Sequence, residues 1–239
     1  MNAHGIHSPF MFNLYQSISE RKRFSSEVAT IWSLRKQLLS DETEISFRDP
    51  GDNNKIKKRS ISSLTKRVTK SNNEGLLLYS IIKHLKPKNG IELGTSLGIS
   101  ALYQNLACPN LNLVSIEGAA EIYELAKTNV KIAGGGITLK LGKFDETLPS
   151  LLKDSNYSYA FIDGFHQFEP TLRYFNMIKD HIEEGGFIIF DDIHWSKDMK
   201  LVWLEIIKHP SVTLSMDLFY LGVVFFKQGV EKQHFTLRC

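Results

Sequence analysis

Three short segments carry residues whose types and spacing suit chemistry. Phe161-Ile162-Asp163-Gly164-Phe165-His166 and Ile189-Phe190-Asp191-Asp192-Ile193-His194-Trp195-Ser196 each end an apolar run with acids followed by a histidine. Glu92-Leu93-Gly94-Thr95-Ser96-Leu97-Gly98 ends another with an acid and two glycines. Carboxylates gathered at one place repel each other and have raised pKa values unless a cation joins them. Asp163, Asp191 and Asp192 are therefore candidate ligands for a hard divalent ion such as Mg²⁺, Ca²⁺ or Mn²⁺. Neutral imidazole near pH 7 accepts a proton, so His166 and His194 are both candidates for proton transfer. The plainer alternative is that both histidines hydrogen-bond loop backbone and that Asp163 caps the next helix.

Placing these residues together requires strands that end side by side. From Leu76 onward, short apolar runs bounded by glycine alternate with longer amphipathic stretches, the pattern of repeated strand-helix units. It predicts strands over Gly90 to Leu93, Leu113 to Glu117, Ile137 to Leu141, Tyr159 to Asp163, Phe187 to Asp191, Thr213 to Asp217 and Gly222 to Phe226. The first five, separated by helices, form a parallel sheet. The last two are too close for an intervening helix and form a hairpin, which makes one edge strand antiparallel. The first 74 residues lack this alternation. Phe12, Tyr15, Ile18, Ile31, Leu34, Leu38 and Leu39 instead suggest short amphipathic helices capping the sheet. The expected organisation is a helical cap over 1–74 and a sheet domain over 75–239.

Ligands of open α/β sheets bind beyond the carboxyl ends of the strands, which makes Glu92 to Gly98 the expected cofactor loop. Gly94 allows a sharp turn and Gly98 close helix packing. The Glu-x-Gly-x-x-x-Gly spacing lacks the middle glycine that makes room for a pyrophosphate in dinucleotide binders, whereas S-adenosylmethionine (SAM) has no pyrophosphate. Glu117 lies 23 residues after Gly94, placed to accept hydrogen bonds from ribose hydroxyls. Glu92 is a candidate for the methionyl ammonium, directly or through water, or else a helix-capping partner.

These motifs, with Ser115-Ile116-Glu117-Gly118, make residues 76 to 226 resemble the class I SAM-dependent methyltransferases. The resemblance implies an α/β, doubly wound Rossmann-like sheet of strand order 3-2-1-4-5-7-6 with the last strand antiparallel. It implies that Gly94, Thr95 and Ser96 line the methionyl end of SAM, that Glu117 with Gly118 holds the ribose, and that Gly142-Lys143-Phe144 borders adenine. Many members have an acid where this chain has Lys143, which shifts that contact to Phe144. The acids after the fourth and fifth strands resemble those of metal-dependent small-molecule O-methyltransferases, where Asp163, Asp191 and Asp192 would hold the ion. The Asp-Gly-x-His form resembles antibiotic-tailoring enzymes and implies His166 as base, with Asp163 beside it.

The expected function is methyl transfer to a hydroxyl oxygen of a small molecule. Two competing readings are a non-catalytic SAM-fold or nucleic-acid-binding module using the basic 55–70 segment, and an NAD-dependent oxidoreductase, which the missing glycine disfavours. That segment holds Lys55, Lys57, Lys58, Arg59, Lys66, Arg67 and Lys70 with no acid between Asn53 and Asn73. It reads either as a solvated face or as a docking surface for an anionic acceptor. Trp195 is a candidate pocket wall and Trp203 a candidate core residue, while His4, His7 and Phe10 are candidates to close over substrate.

With 239 residues, 42% of them hydrophobic, the chain can bury a substantial core. Its formal charge of +3 is too small to imply nucleic acid by itself. The two cysteines, Cys108 and Cys239, indicate neither a disulfide framework nor a thiolate zinc cluster. No apolar stretch is long enough for a signal peptide or membrane span, so the expectation is a cytoplasmic, unanchored protein, with a homodimer as the candidate assembly.

Overall fold

A computed structural model of the chain describes residues 8–52, 55–133, 136–153 and 155–237. His4, His7 and Cys239 lie outside them. The sheet contains β3 (Asn89–Leu93), β4 (Asn112–Glu117), β5 (Ile137–Leu141), β6 (Tyr157–Ile162), β7 (Ile182–Asp191), β8 (Leu214–Asp217), β9 (Leu221–Phe225) and β10 (Gln233–Thr236). Their spatial order is β10-β8-β9-β7-β6-β3-β4-β5. The seven expected strands are present in the expected order, and the last of them, β9, is antiparallel to β7 and β8. It is not an edge strand, however. β9 lies inside the sheet, and the unforeseen β10 pairs parallel to β8 outside it. β10 buries only Phe235 of its four residues, too little apolar alternation to be seen in the sequence.

The chain winds outward from β3 through β4 to β5 and returns to β6 beside β3, so the sheet changes direction between β3 and β6. Register then does the positioning. Leu93 pairs with Ile162, and Ile162 with Phe190, which aligns the next residues, Gly94, Asp163 and Asp191, along one sheet end.

One face of the sheet packs on α7 (Phe144–Leu152), α8 (Phe168–Lys179) and α9 (Lys197–Lys208), in a core that includes Phe175, Phe190 and Trp203. The other packs on α4 (Asn72–Leu85) and α5 (Ile99–Ala107), with α1 (Pro9–Ser19) and α2 (Ala29–Leu39) joining the same core through Met11, Leu14, Ile18 and Ile31. Residues from Gly75 to Ile82 of α4 are all buried, so this helix is covered on every side. Its start is set by a capping box in which the Ser71 hydroxyl accepts from the Glu74 N–H and Glu74 accepts from the Ser71 N–H.

The N-terminal region is not helical throughout. β1 (Glu44–Asp49) and β2 (Lys55–Ser60) form an antiparallel hairpin, followed by α3 (Ile61–Val68). β2 reads Lys-Ile-Lys-Lys-Arg-Ser, with no apolar face to announce a strand. It is held by backbone pairing and by Lys57 to Asp49 and Lys58 to Glu44 ion pairs at 2.6 Å each. Among the described residues, no helix is long and apolar enough to cross a membrane.

Candidate active site

A cavity of about 640 Å³ opens at the carboxyl ends of β3, β4, β6 and β7, within the range of small-molecule sites. Gly94, Thr95 and Ser96 line it from the first loop, and Glu117, Gly118 and Ala119 from the second. Gly94 has φ +101°, and a Cβ there would lie 2.0 Å from the Asp163 carbonyl oxygen, so the position requires glycine. Ser96 turns back at φ 49° and donates its N–H to Glu117 Oε2 at 2.8 Å, while Ala119 N–H donates to Oε1 at 2.9 Å. Burial raises the pKa of Glu117 and these backbone bonds oppose it. The carboxylate is thereby fixed at the cavity wall with lone pairs still open.

Glu92 is not in that wall. It is fully buried beneath the loop, accepting from Gln104 Nε2 at 2.7 Å and Ser115 Oγ at 2.5 Å. Ser115 Oγ in turn lies 2.6 Å from Thr95 Oγ1. Glu92 therefore supports the loop through Ser115 and Thr95 from behind it. Burial pushes its carboxyl up to about 7. Gly98 is likewise behind the cavity, where a Cβ would meet Val130 at 2.8 Å.

Phe144 lies against Phe165 and Tyr174, with ring centroids 5.6 and 5.5 Å apart, and all three line the cavity. Lys143 and Arg173 line the same end. Nothing in the spacing of Arg173 and Tyr174 on α8 set them apart from an ordinary helix face.

Asp163, His166, Asp191, Asp192 and Trp195 all line the cavity. His166 Nε2 is 3.6 Å from Asp163 Oδ1. His166, Phe165 and Asp192 have φ of 38°, 65° and 54°, a cluster of left-handed backbone beside the acids. His194 is not at the cavity. Its Nε2 is 2.8 Å from Asp217 Oδ2 and its ring stacks on Phe219, which supports the structural role for this histidine. Trp203 is buried in the core, as expected. Phe10 packs on Phe225, away from the cavity.

Asp163, His166 and Asp191 offer donor atoms within 4.8 Å of one another, a spacing and chemistry open to a divalent ion. The Lys70 ammonium, however, already lies among them. It pairs closely with Asp191 Oδ2 and is 3.4 Å from Asp163 Oδ2. Burial lowers the proton affinity of Lys70, but Asp163 and Asp191 outweigh it and hold the ammonium charged well above the ordinary range. Asp191, pushed up by burial and by Asp163 and drawn down by Lys70, stands at about 7. The lysine thus already supplies a cation to a donor set whose spacing could hold a divalent ion. Lys70 belonged to the basic run in the sequence, but its partners are 93 and 121 residues away.

The rest of that run divides. Lys58 pairs away with Glu44, whereas Lys57, Arg59 and Arg67 join Lys70 on the cavity wall. Lys57 is paired with Asp49 and Asp52, and Arg59 and Arg67 have no acidic partner among the described residues.

A family model described as a methyltransferase domain matches residues 91–193, from β3 to the loop after β7. Over that stretch, less than half of the chain, it is similar to methyltransferase domains. It is 33% identical over 112 residues to an uncharacterised protein of Acanthamoeba polyphaga mimivirus, covering 43% of this chain and 50% of that one. It is 27% identical over 160 residues to caffeoyl-CoA O-methyltransferase 1 of Nicotiana tabacum, covering 65% of this chain and 67% of that one. The chain thus spans half to two thirds of those relatives. Its fold is that of a Bacillus cereus O-methyltransferase solved with SAH, with TM-score 0.60, 14% identity and coverage of 89% and 99%.

Proposed function

We propose that this chain binds SAM in the cavity and transfers its methyl group to a hydroxyl oxygen of an anionic small molecule. The observation that carries this reading is that the Gly94 to Ser96 loop, Glu117 and His166 all line one cavity at the sheet's change of direction. Glu117 would accept from the ribose hydroxyls, Gly94 to Ser96 would lie along the methionyl end, and Phe144 would border the adenine. The relatives named O-methyltransferases support oxygen as acceptor.

The reaction asks little of the protein beyond alignment. The sulfonium methyl is already electrophilic, so the acceptor oxygen must be held in line behind it and its proton removed. His166 would take that proton as the oxygen–methyl bond forms and the sulfur–methyl bond breaks, giving a methyl ether and S-adenosylhomocysteine. The resulting imidazolium would face Asp163 and Asp192. Such a base is typically worth about 10²- to 10⁴-fold in rate. Arg59 and Arg67, free of acids on the cavity wall, would attract the acceptor's anionic group. Residues 1–74 would act as a cap over a sheet domain of 75–239, supplying Pro50, Arg59 and Lys70 to the site.

The test is thermal unfolding with SAM or NAD, followed by an assay for S-adenosylhomocysteine with hydroxyl-bearing acceptors. SAM should raise the melting temperature and NAD should not. His166→Ala should keep the SAM shift and lose turnover by about 10²-fold or more. Undiminished turnover would remove His166 as the base.

A further inference from the structure

We infer that Lys70 is the resident cation of the acid cluster, an internal ammonium standing where Asp163 and Asp191 would otherwise require a divalent ion. This rests on the methyl-transfer reading and deepens it, for it assigns the site to a metal-independent mode.

The ammonium is held from several sides. Besides its pairing with Asp163 and Asp191, Nζ lies 5.3 Å from the centroid of the Phe161 ring, and the side chain is only 7% exposed. A lysine so enclosed is not a surface charge resting on an acid. The backbone that carries it is pinned on both sides. Before it, α3 ends with Thr69 donating its N–H and its hydroxyl to Thr65 O, while Arg35 Nε donates to Thr69 Oγ1. After it, Ser71 closes the capping box of α4, and Asn73 accepts from Arg21 Nε. The backbone that carries Lys70 is therefore held between two helix ends.

Charge and space lead to the same conclusion. A divalent ion bound at about 2.0 to 2.6 Å to the Asp191 oxygen that Lys70 uses would stand within roughly 5 Å of the ammonium. Two like charges at that distance in a water-poor cluster repel strongly. The ammonium also does for Asp163 and Asp191 what the ion would do, giving the buried carboxylates a cation to pair with. It differs in having no open coordination positions. Its contribution to an acceptor is one N–H directed by the carboxylates, so the acceptor need not present two adjacent oxygens for chelation. Lys70 is accordingly a positioning residue, one that keeps Asp163 paired and leaves the proton to His166.

The test uses the full chain after dialysis against EDTA, with Mn²⁺ titrated and followed by electron paramagnetic resonance. The wild type should hold no stoichiometric Mn²⁺, and its SAM-induced rise in melting temperature and its methyl transfer should be unchanged by EDTA. Lys70→Met, which keeps the bulk of the stem, and Lys70→Ala should each bind Mn²⁺ at least about tenfold more tightly than the wild type. Adding Asp191→Asn to either should abolish that gain. A wild type that binds one Mn²⁺, loses it on Asp191→Asn, and needs it for turnover would overturn the inference, whether or not the Lys70 variants fold. Absence of a SAM shift in the wild type would instead sink the methyl-transfer reading and leave the Mn²⁺ result standing.

Discussion

Replacing Glu92 with glutamine removes the charge from a fully buried carboxyl while keeping its shape. Burial is the main cause of its raised pKa, opposed by hydrogen bonds from Ser115, Ser100 and Gln104 and by the charge of Lys70. The native state therefore binds the Glu92 proton more tightly than the unfolded chain does. Its contribution is greatest below pH 4.5, falls as pH rises from 4.5 through about 7, and is level above that. Each tenfold in proton affinity is worth about 1.4 kcal/mol. A pKa moved from 4.5 to about 7 thus amounts to about 3 kcal/mol between the two limits. Glu92→Gln lacks this dependence. Urea unfolding of both proteins at pH 5 and pH 8 should show the variant gaining about 2 to 3 kcal/mol on the wild type over that interval. Asp191 titrates in the same window but is present in both proteins and drops out of the comparison. Parallel pH profiles would refute the reasoning, because they would mean that Glu92 loses its proton as readily in the fold as in the unfolded chain.

Three further outcomes follow from named contacts. Gly94→Ala places a methyl 2.0 Å from the Asp163 carbonyl at a φ of +101°, so calorimetry should find SAM binding lost and the melting temperature lowered. Glu117→Ala removes the acceptor assigned to the ribose and frees the Ser96 and Ala119 N–H groups, and should weaken SAM binding about 10- to 100-fold by calorimetry. Trp203→Ala empties a core position against Phe190 and Gly222 and should cost about 3 to 5 kcal/mol in denaturant unfolding, with SAM affinity little changed.

The central sheet was legible because its inner strands are short apolar runs between glycines, and because the 213 to 226 stretch is too short to hold a helix. β2 and β10 were not, since Lys55 to Ser60 has no apolar face and Gln233 to Thr236 buries one side chain. In such strands backbone pairing, rather than side-chain burial, decides the structure. The residues of the candidate site fared similarly. Gly94 carries its meaning locally, in a backbone that no other residue can adopt, whereas whether Glu92 faces the cavity or the core depends on Gln104 and Ser115 from neighbouring elements. Lys70 looked like one more member of a basic run. Its difference from Lys66 is that Ser71 and Glu74 begin a helix immediately after it, which turns its side chain toward acids on other strands.

That pairing also bears on the order in which the chain can fold. Asp163 and Asp191 follow Lys70 by 93 and 121 residues, so closing this contact carries the loop entropy of about half the protein. Contacts of such separation slow folding. Until β6 and β7 stand side by side, the lysine has no acids to meet, and until the lysine arrives, the acids have no counter-charge. The acid-lined end of the cavity thus depends on residues 70, 163 and 191 being brought together across the chain. A perturbation of Lys70 should accordingly appear in the unfolding rate more than in the folding rate.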